Sequence, residues 1–244
     1  MATEQRIAWI GGATGYTGSS LVPVLVKRGW TVHAHVRPDS TERETWTRRF
    51  REMGAEVDTT PWDAAAMELR LKELQPTAVF SLLGTTKKRG RAGDSGAIED
   101  TYEAVDYGLT SLLLRATADG APNARFIYLS AWGVKPDTKN PYMRARARVE
   151  KELEQSDLDF VIIRPAVIGG DRPETRTLES VGGTIANGFA SVLHAVGAKR
   201  AAADLRTRTG HELAVNCADA AEHAMTRSAL TGFGLDNMPS AGVV

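Results

Sequence analysis

Three side chains between residues 130 and 146 have the types and the spacing that proton transfer to a carbonyl group requires. Ser130 ends an apolar run, Tyr142 begins the next amphipathic stretch, and Arg146 follows one helical turn later. A fixed cation beside a tyrosine hydroxyl lowers its pKa and makes it a better proton donor. The alternative is a tyrosine packed at the start of an arginine-rich surface helix. The spacing fits a site in which Tyr142 is the acid or base, Ser130 orients the carbonyl and Arg146 supplies the charge, but these three residues alone leave both interpretations open.

A glycine-rich turn near the start of the chain indicates a nucleotide site. The sequence G-G-A-T-G-Y-T-G covers residues 11–18, directly after an apolar run at 7–10 and before an amphipathic stretch at 21–26. A strand, a tight turn and a helix in this order bring backbone N–H groups and the positive end of a helix to a phosphate. The residues of this turn that we expect to bind the cofactor are Gly12, Thr14, Gly15, Tyr16 and Gly18.

The residues after the next two predicted strands bear on the choice of dinucleotide. NAD-selective sites usually place an acid after the second strand, for the ribose 2′-hydroxyl, but here Arg37 follows and no acid precedes Asp39. An arginine can pair with a 2′-phosphate, so we expect NADP rather than NAD, although a solvated arginine at a strand end is also common. Asp63, after the third strand, could meet the adenine amino group or cap the helix that follows it.

The composition describes a chain with an ordinary core and no global charge. Of 244 residues, 42% are hydrophobic, and 30 basic side chains balance 30 acidic ones, which predicts no attraction to nucleic acid or to a membrane. The lone Cys217 excludes an intrachain disulfide, and the pair His33 and His35 has no third ligand nearby, so we expect no metal. The first residues lack an apolar signal core, and we therefore expect a cytoplasmic location.

Apolar runs alternate with amphipathic stretches, which predicts an α/β protein with a doubly wound parallel Rossmann sheet. We expect the strand order 3-2-1-4-5-6, with room for a seventh strand. The predicted strands cover residues 7–10, 31–36, 55–59, 77–83, 125–130 and 159–164. The predicted helices after the first cover residues 42–53, 64–74, 99–118 and 141–155.

The regular alternation of predicted strands and helices ends after residue 165. The pattern predicts, in order, a loop at 169–183, a helix at 183–196, a basic loop at 199–208, a strand near 212–216 and a helix at 218–229. This is too little for a second domain, so residues 1–244 read as a single domain in which 165–244 form a small lobe. Ligands bind at the carboxyl ends of parallel strands, and we expect the lobe there, shaping the pocket for a small-molecule substrate.

These motifs resemble the short-chain dehydrogenase/reductase superfamily, in its atypical NmrA-like branch and the Tat-interacting oxidoreductase-like group. The matching segments are G-G-A-T-G-Y-T-G at 11–18, L-G-T-T-K-K-R-G-R-A-G at 83–93, V-D-Y at 105–107, L-S-A-W-G-V at 129–134, Y-M-R-A-R at 142–146 and R-P-A-V-I at 164–168. The resemblance implies that Gly84 and Thr85 line the nicotinamide side of the cofactor and that Ser130 and Tyr142 are catalytic. By the same analogy, the helices at 99–118 and 141–155 would form the face of a homodimer.

One position departs from the family pattern Y-x-x-x-K, because Arg146 stands where the lysine is expected. In the family that lysine holds hydroxyls of the nicotinamide ribose, and arginine keeps the charge but is longer and planar. Three functions therefore remain open: an NADP(H)-dependent oxidoreductase acting on a small carbonyl or hydroxyl compound, an NADP(H)-binding sensor that works through protein contacts, and a structural module. The intact glycine turn disfavours the third. The basic cluster at 87–91 could attract an anionic substrate or be a solvated loop.

Overall fold

The computed structural model describes residues 5–84, 101–168, 207–223 and 227–231, to which all structural statements below refer. The strands are β1 (Ile7–Gly11), β2 (Thr31–His35), β3 (Glu56–Asp58), β4 (Ala78–Ser81), β5 (Arg125–Leu129), β6 (Phe160–Ile163), β7 (Val167–Ile168), β8 (Thr207–Arg208) and β9 (Ser228–Leu230). The helices are α1 (Tyr16–Lys27), α2 (Arg43–Glu52), α3 (Ala64–Leu74), α4 (Thr110–Gly120), α5 (Pro141–Gln155) and α6 (Gly210–Glu222). A π-helical segment, Tyr102–Leu109, runs directly into α4.

Within the described residues, seven strands form a sheet in the order β3-β2-β1-β4-β5-β6-β9, and every pair is parallel. This confirms the predicted Rossmann order and adds the seventh strand beside β6. At the centre, Trp9 of β1 lies opposite His33 on one side and Val79 on the other. The strand order reverses at β1 and β4, and the crevice at the carboxyl ends of such strands is where doubly wound sheets bind ligands.

Both faces of the sheet are covered, which explains the nearly continuous apolar runs of its inner strands. Adjacent residues of β1 point to opposite faces: Ile10 packs in a core with side chains of α1 and α6, and Trp9 packs in a second core with side chains of α3, α4 and α5. Both residues are fully buried. The site residues at the carboxyl edge are therefore carried by strands fixed from both sides.

Two of the predicted helices have the observed bounds, and each has a side-chain cap that the sequence supplies. The carboxylate of Asp63 accepts a hydrogen bond from Ala66 N at 3.0 Å at the start of α3. Asn140 accepts one from Met143 N at 3.2 Å at the start of α5. The helix predicted at 99–118 differs, because its described part is π-helical as far as Leu109. Residues in that segment are consequently offset from where an α-helix would place them.

The prediction for the end of the chain is wrong in its details. The strand expected near 212–216 and the helix expected at 218–229 are replaced by α6, which β9 follows. A capping box explains the early start of α6: Glu212 N donates to Thr209 Oγ1 at 3.1 Å, and Thr209 N donates to the Glu212 carboxylate at 2.8 Å. The helix predicted at 183–196 and the loop at 169–183 lie outside the described residues.

Two further findings hold for the described ranges only. No helix in them is both long enough and apolar enough to cross a bilayer. No group of three His, Cys, Asp or Glu side chains in them is arranged to hold a metal ion.

Candidate functional site

The turn between β1 and α1 leaves no room for side chains at two of its glycines. Gly12 has φ of +79°, and a Cβ atom there would lie 2.7 Å from Leu82 O. A Cβ atom at Gly18 would lie 2.2 Å from Gly12 O, far closer than atoms approach. The turn is closed by a hydrogen bond from Gly15 N to Gly12 O at 3.0 Å. Glycine is therefore required at Gly12 and Gly18 by the packing of the turn against backbone.

The start of α1 has the properties of a phosphate-binding helix end. Gly15 is the N-cap residue, no side chain caps the helix, and its first turn contains no acid. The first N–H groups of a helix have no partner within the helix, and its dipole favours an anion there. Thr14 lies half-buried within the turn, while the ring of Tyr16 packs against Gly210, where a Cβ atom would lie 2.8 Å from Cε1 of the tyrosine. The residues present therefore fit the pyrophosphate of a dinucleotide.

Arg37 follows β2 at the edge where the adenosine end is predicted. Its side chain is 35% exposed, and its Nε lies 3.9 Å from Oδ1 of Asp39, a distance that marks a weak contact. Arg43 instead donates to Pro38 O at 2.9 Å and is engaged with its own loop. For Asp63, the structure shows the capping contact described above. Its contact with an adenine stays a prediction.

An aromatic cluster that the sequence did not reveal lies beside Arg37. The ring of His35 lies 4.8 Å from that of Trp62 and 5.1 Å from that of Trp9, measured between centroids. Burial lowers the pKa of His35, although its 2.8 Å hydrogen bond with Thr60 O opposes the shift. The imidazole is therefore neutral near pH 7, and its Nε2 donates to the carbonyl.

The opposite end of the crevice holds Arg146, which is buried. Its Nη2 donates to Oδ1 of Asp106 at 2.9 Å, and its Nη1 donates to Leu129 O and, at 3.4 Å, to Oη of Tyr128. The guanidinium carbon lies 4.7 Å from the ring centroid of Tyr142. The structure thus places Tyr142 and Arg146 in contact, as their spacing of one helical turn predicts.

The electrostatics of this group fix where the charges reside. Burial disfavours the charge of Arg146, but the oxygens of Tyr128, Tyr142 and Asp106 outweigh it and raise the pKa of the guanidinium above its ordinary value. Burial also raises the pKa of Tyr128 well above its usual range, against the opposing effect of Arg146. The site accordingly contains a permanent cation beside Tyr142 and a neutral phenol at Tyr128.

Gly84 reaches the same group from the end of β4. A Cβ atom at Gly84 would lie 3.2 Å from Nη2 of Arg146 and 3.6 Å from Oδ1 of Asp106. Any larger side chain would press on this ion pair. Thr85 and the basic cluster at 87–91 lie outside the described residues, so their predicted roles stay predictions.

Ser130 forms a buried hydrogen bond that the sequence did not predict. Its hydroxyl donates to Oε1 of Glu150 at 2.6 Å, and the serine is only 3% exposed. The same carboxylate accepts two hydrogen bonds from Arg164, at 2.9 and 2.8 Å. Ser130 therefore links β5 to α5 and to the residue that follows β6. Its role toward a substrate stays a prediction.

The side chains that the sequence reasoning missed act through contacts between distant segments. Asp106 lies within the quoted V-D-Y segment but 40 residues from Arg146. Glu150 carries a clearer signal, because it lies four residues after Arg146 and eight after Tyr142, on the same face of a helix. Tyr128 belongs to a strand whose apolar character gave no indication of a polar contact.

Comparison with known proteins identifies the family. A family model described as NAD(P)H-binding matches residues 12–189. The mitochondrial protein FMP52 of Coccidioides immitis is 30% identical over 184 residues, which cover 72% of this chain and 71% of the relative. The mitochondrial protein fmp52-1 of Aspergillus terreus is 29% identical over 194 residues, 75% of each chain. Since these relatives are mitochondrial, the prediction of a cytoplasmic location is wrong.

Solved structures share the fold at low sequence identity. A short-chain dehydrogenase/reductase family oxidoreductase from Burkholderia thailandensis has a TM-score of 0.68 at 15% identity and covers 97% of this chain and 95% of its own. An actinorhodin polyketide ketoreductase with NADPH has a TM-score of 0.64 at 17% identity, covering 97% and 100%. The enzyme WbmH of Bordetella bronchiseptica, in complex with NAD⁺, has a TM-score of 0.61 at 18% identity, covering 93% and 75%.

These comparisons show an NAD(P)H-binding family and the fold of short-chain dehydrogenases/reductases, and they leave two finer predictions untested. The neighbours hold NADPH in one structure and NAD⁺ in another, so the choice between the two nucleotides is open. The assignment to the NmrA-like branch also stays a prediction. The matched family model and the relatives show that this chain belongs to the NAD(P)H-binding family, with the Rossmann-type fold shared by short-chain dehydrogenases/reductases and NAD-dependent epimerases.

Proposed function

We propose that this chain is an NADP(H)-dependent oxidoreductase that acts on a small carbonyl or hydroxyl compound, with Tyr142 as the proton donor or acceptor. The observation that carries the proposal is the position of the buried Arg146 guanidinium, 4.7 Å from the ring of Tyr142. Arg146 lies next to Gly84, at the carboxyl end of the sheet where ligands bind in this fold. Carbonyl reduction needs a proton donor and a fixed cation from the protein, and Tyr142 and Arg146 can supply them.

The selectivity for NADP rests on Arg37. Its side chain is partly exposed, and the 3.9 Å contact with Asp39 leaves its charge available for a second partner. A guanidinium binds a phosphate through charge-assisted hydrogen bonds, and it has no matching interaction with the neutral 2′-hydroxyl of NAD. The preference therefore depends on a residue remote from Tyr142, so the two can be tested separately.

In the reducing direction, NADPH held by the glycine turn and Arg37 would supply the hydride for the carbonyl carbon. The hydroxyl of Tyr142 donates its proton to the carbonyl oxygen, which gives the alcohol and leaves a phenolate. The charge of Arg146 stabilises that phenolate without a rearrangement, because the guanidinium is already held in place. Ser130 has a smaller part, since its hydroxyl donates to Glu150 and can meet a substrate only by exchanging that hydrogen bond.

A second candidate is an NADP(H)-binding regulatory protein without turnover. The observation that favours it is the engagement of Arg146, whose two Nη atoms already donate to Asp106 and to Leu129 O. An arginine held in this way has little left to offer to ribose hydroxyls. In that case the nucleotide binds, and its occupancy changes a surface that another protein recognises.

The two candidates are separated by following NADPH consumption with a panel of small aldehydes and ketones. We expect the wild type to reduce at least one of them, and Tyr142→Phe to lower kcat by roughly a hundredfold or more with NADPH affinity nearly unchanged. Tyr107→Phe is the matched control, because Tyr107 donates to Glu152 and contacts Arg148 instead of Arg146. Tight NADPH binding without consumption of any substrate would favour the regulatory candidate. Full activity in Tyr142→Phe would exclude Tyr142 as the acid.

A further inference from the structure

A buried carboxylate lies directly behind the cation that faces Tyr142. The side chain of Asp106 is 0% exposed and that of Arg146 is 7% exposed, and they form an ion pair with an N–O distance of 2.9 Å. Burying two charges is costly, and such pairs often add little to stability compared with apolar residues of the same size. What a buried pair does provide is a defined geometry. In this site, the geometry in question is the orientation of the Arg146 guanidinium.

The plane of the guanidinium is held at both of its outer nitrogens. Nη2 donates to Asp106 and Nη1 donates to Leu129 O, while the buried Nε has no hydrogen-bond partner among the described residues. With the two ends fixed, the cation meets the ring of Tyr142 at 4.7 Å. Loss of the Asp106 contact would leave the backbone carbonyl as the principal anchor, and the plane could then turn away from the tyrosine.

Asp106 is supplied by the π-helical segment, Tyr102–Leu109, which also contacts Tyr142. The ring of Tyr102 lies 5.3 Å from that of Tyr142, edge to face. Two residues of this segment, four positions apart, thus contact the two members of the Tyr142–Arg146 pair. π-helical turns are uncommon and often mark functional positions.

We propose that Asp106 is a positioning residue, which fixes the guanidinium of Arg146 against Tyr142 and so makes an arginine usable as the charge in this site. Its kinetic consequence rests on the proposed function, whereas its structural consequence does not. Asp106 acts through Arg146, so a change at Asp106 reduces kcat more than it alters the affinity for NADPH or the KM of the substrate.

The structural consequence is tested by ¹⁵N NMR of arginine side chains in the full chain. In the wild type we expect Arg146, assigned by its loss in Arg146→Lys, to show separate signals for its two Nη atoms, because rotation of the guanidinium is blocked. Asp106→Asn should merge or broaden these signals. Glu103→Gln is the matched control: it removes an acid from the same segment, but one that pairs with the exposed Arg148. It should leave the Arg146 signals unchanged.

The kinetic consequence is tested with the substrate found for the wild type. We expect Asp106→Asn to lower kcat by roughly tenfold to a hundredfold, as misplacement of a catalytic group does, with KM and NADPH affinity within about twofold. In an Arg146→Met background, Asp106→Asn should have no further effect on kcat. Asp106→Glu serves if Asp106→Asn does not fold, since it keeps the charge but displaces the carboxylate, and it should lower kcat likewise.

Unchanged Arg146 signals in Asp106→Asn, or an equal loss of kcat with and without Arg146, would overturn the proposal. If the wild type reduces no substrate, the proposed oxidoreductase function fails. The NMR signals of Arg146 then still decide whether Asp106 fixes the guanidinium.

Discussion

The hydroxyl of Ser130 donates a 2.6 Å hydrogen bond to the carboxylate of Glu150 in the interior of the protein. Glu150 lies on the same helix as Tyr142 and Arg146 and also accepts two hydrogen bonds from Arg164. The serine at the end of β5 is therefore part of the support for α5. Its effect on stability can be measured separately from any effect on a substrate.

We predict that Ser130→Ala lowers the free energy of unfolding by about 2 kcal/mol, because a hydrogen bond to a charged group is lost in a buried site. Urea denaturation measures this change. Ser111→Ala is a matched control, since Ser111 also donates to a glutamate, Glu152, at 2.5 Å, but the side chain of that glutamate is 22% exposed. Ser111→Ala should lower the free energy of unfolding by clearly less than Ser130→Ala does. Equal losses in the two variants would contradict the structural role of Ser130.

The glycine turn predicts a graded response to added methyl groups. Gly18→Ala should lower NADPH affinity by roughly a hundredfold, since the clash with Gly12 O must move the backbone that donates to phosphate. Gly15→Ala should lower NADPH affinity by less, because its Cβ atom would lie 3.2 Å from Gly12 O. Gly133→Ala is the control for a positive φ in open space, and it should reduce stability but leave affinity unchanged. NADPH fluorescence titration gives all three values, and an unchanged affinity in Gly18→Ala would be inconsistent with this turn as the phosphate site.

The lowered pKa of His35 predicts a pH-dependent stability. Burial is the main cause, Thr60 O and Asp58 oppose it, and Arg37 adds to it. Below about pH 6.5 the unfolded chain binds a proton that the folded one does not, so stability falls as the pH decreases toward the folded pKa. Each unit of pKa difference corresponds to about 1.4 kcal/mol.

We therefore expect the wild type to lose more unfolding free energy between pH 7.5 and pH 5.5 than His35→Gln, which can still donate to Thr60 O. Urea denaturation at both pH values measures the difference. The pKa of His33 is lowered as well, but His33 is present in both proteins, so its contribution to the difference between them cancels. His211→Gln, at an exposed position, is the control and should behave as the wild type does. Parallel losses in the wild type and His35→Gln would contradict the burial of a neutral imidazole.

Cys217 is predicted to be unreactive in the folded protein. Burial raises the pKa of its thiol to about 12, with a smaller contribution from Asp219, so almost no thiolate exists near pH 8. A colorimetric thiol reagent should detect less than one thiol in the native protein over minutes and one in urea, since the sequence contains a single cysteine. Rapid modification in the native state would show that the face of α6 that carries Cys217 is not buried in the core.

The sequence predicted the parts of the molecule that depend on local patterns. The apolar run at 77–83 predicted a buried strand, and β4 lies within it at Ala78–Ser81. The spacing of Tyr142 and Arg146 predicted that they share one face of α5. The spacing of the glycines at 11–18 likewise predicted a tight turn between a strand and a helix. Each of these is settled by neighbours within a few residues along the chain.

The rest depends on contacts that local patterns do not encode. Asp106 and Arg146 are brought together by the pairing of β4 with β5 and by a π-helical segment, neither of which leaves a periodic signal. The start of α6 is a different case, because the T-x-x-E sequence of Thr209–Glu212 was a readable capping box. The apolar pattern that followed it suggested a strand, and packing against α1 decided in favour of a helix.

The most direct test of the account is a calorimetric titration of the wild type and Arg37→Ala with NADPH and with NADH. We expect the wild type to prefer NADPH, and Arg37→Ala to lose about tenfold to a hundredfold in NADPH affinity with NADH affinity unchanged, as the loss of charge-assisted hydrogen bonds requires. Arg48→Ala, at an exposed arginine of α2, should bind both nucleotides as the wild type does. Equal affinity of the wild type for the two nucleotides, or an unchanged preference in Arg37→Ala, would contradict a site built for NADP.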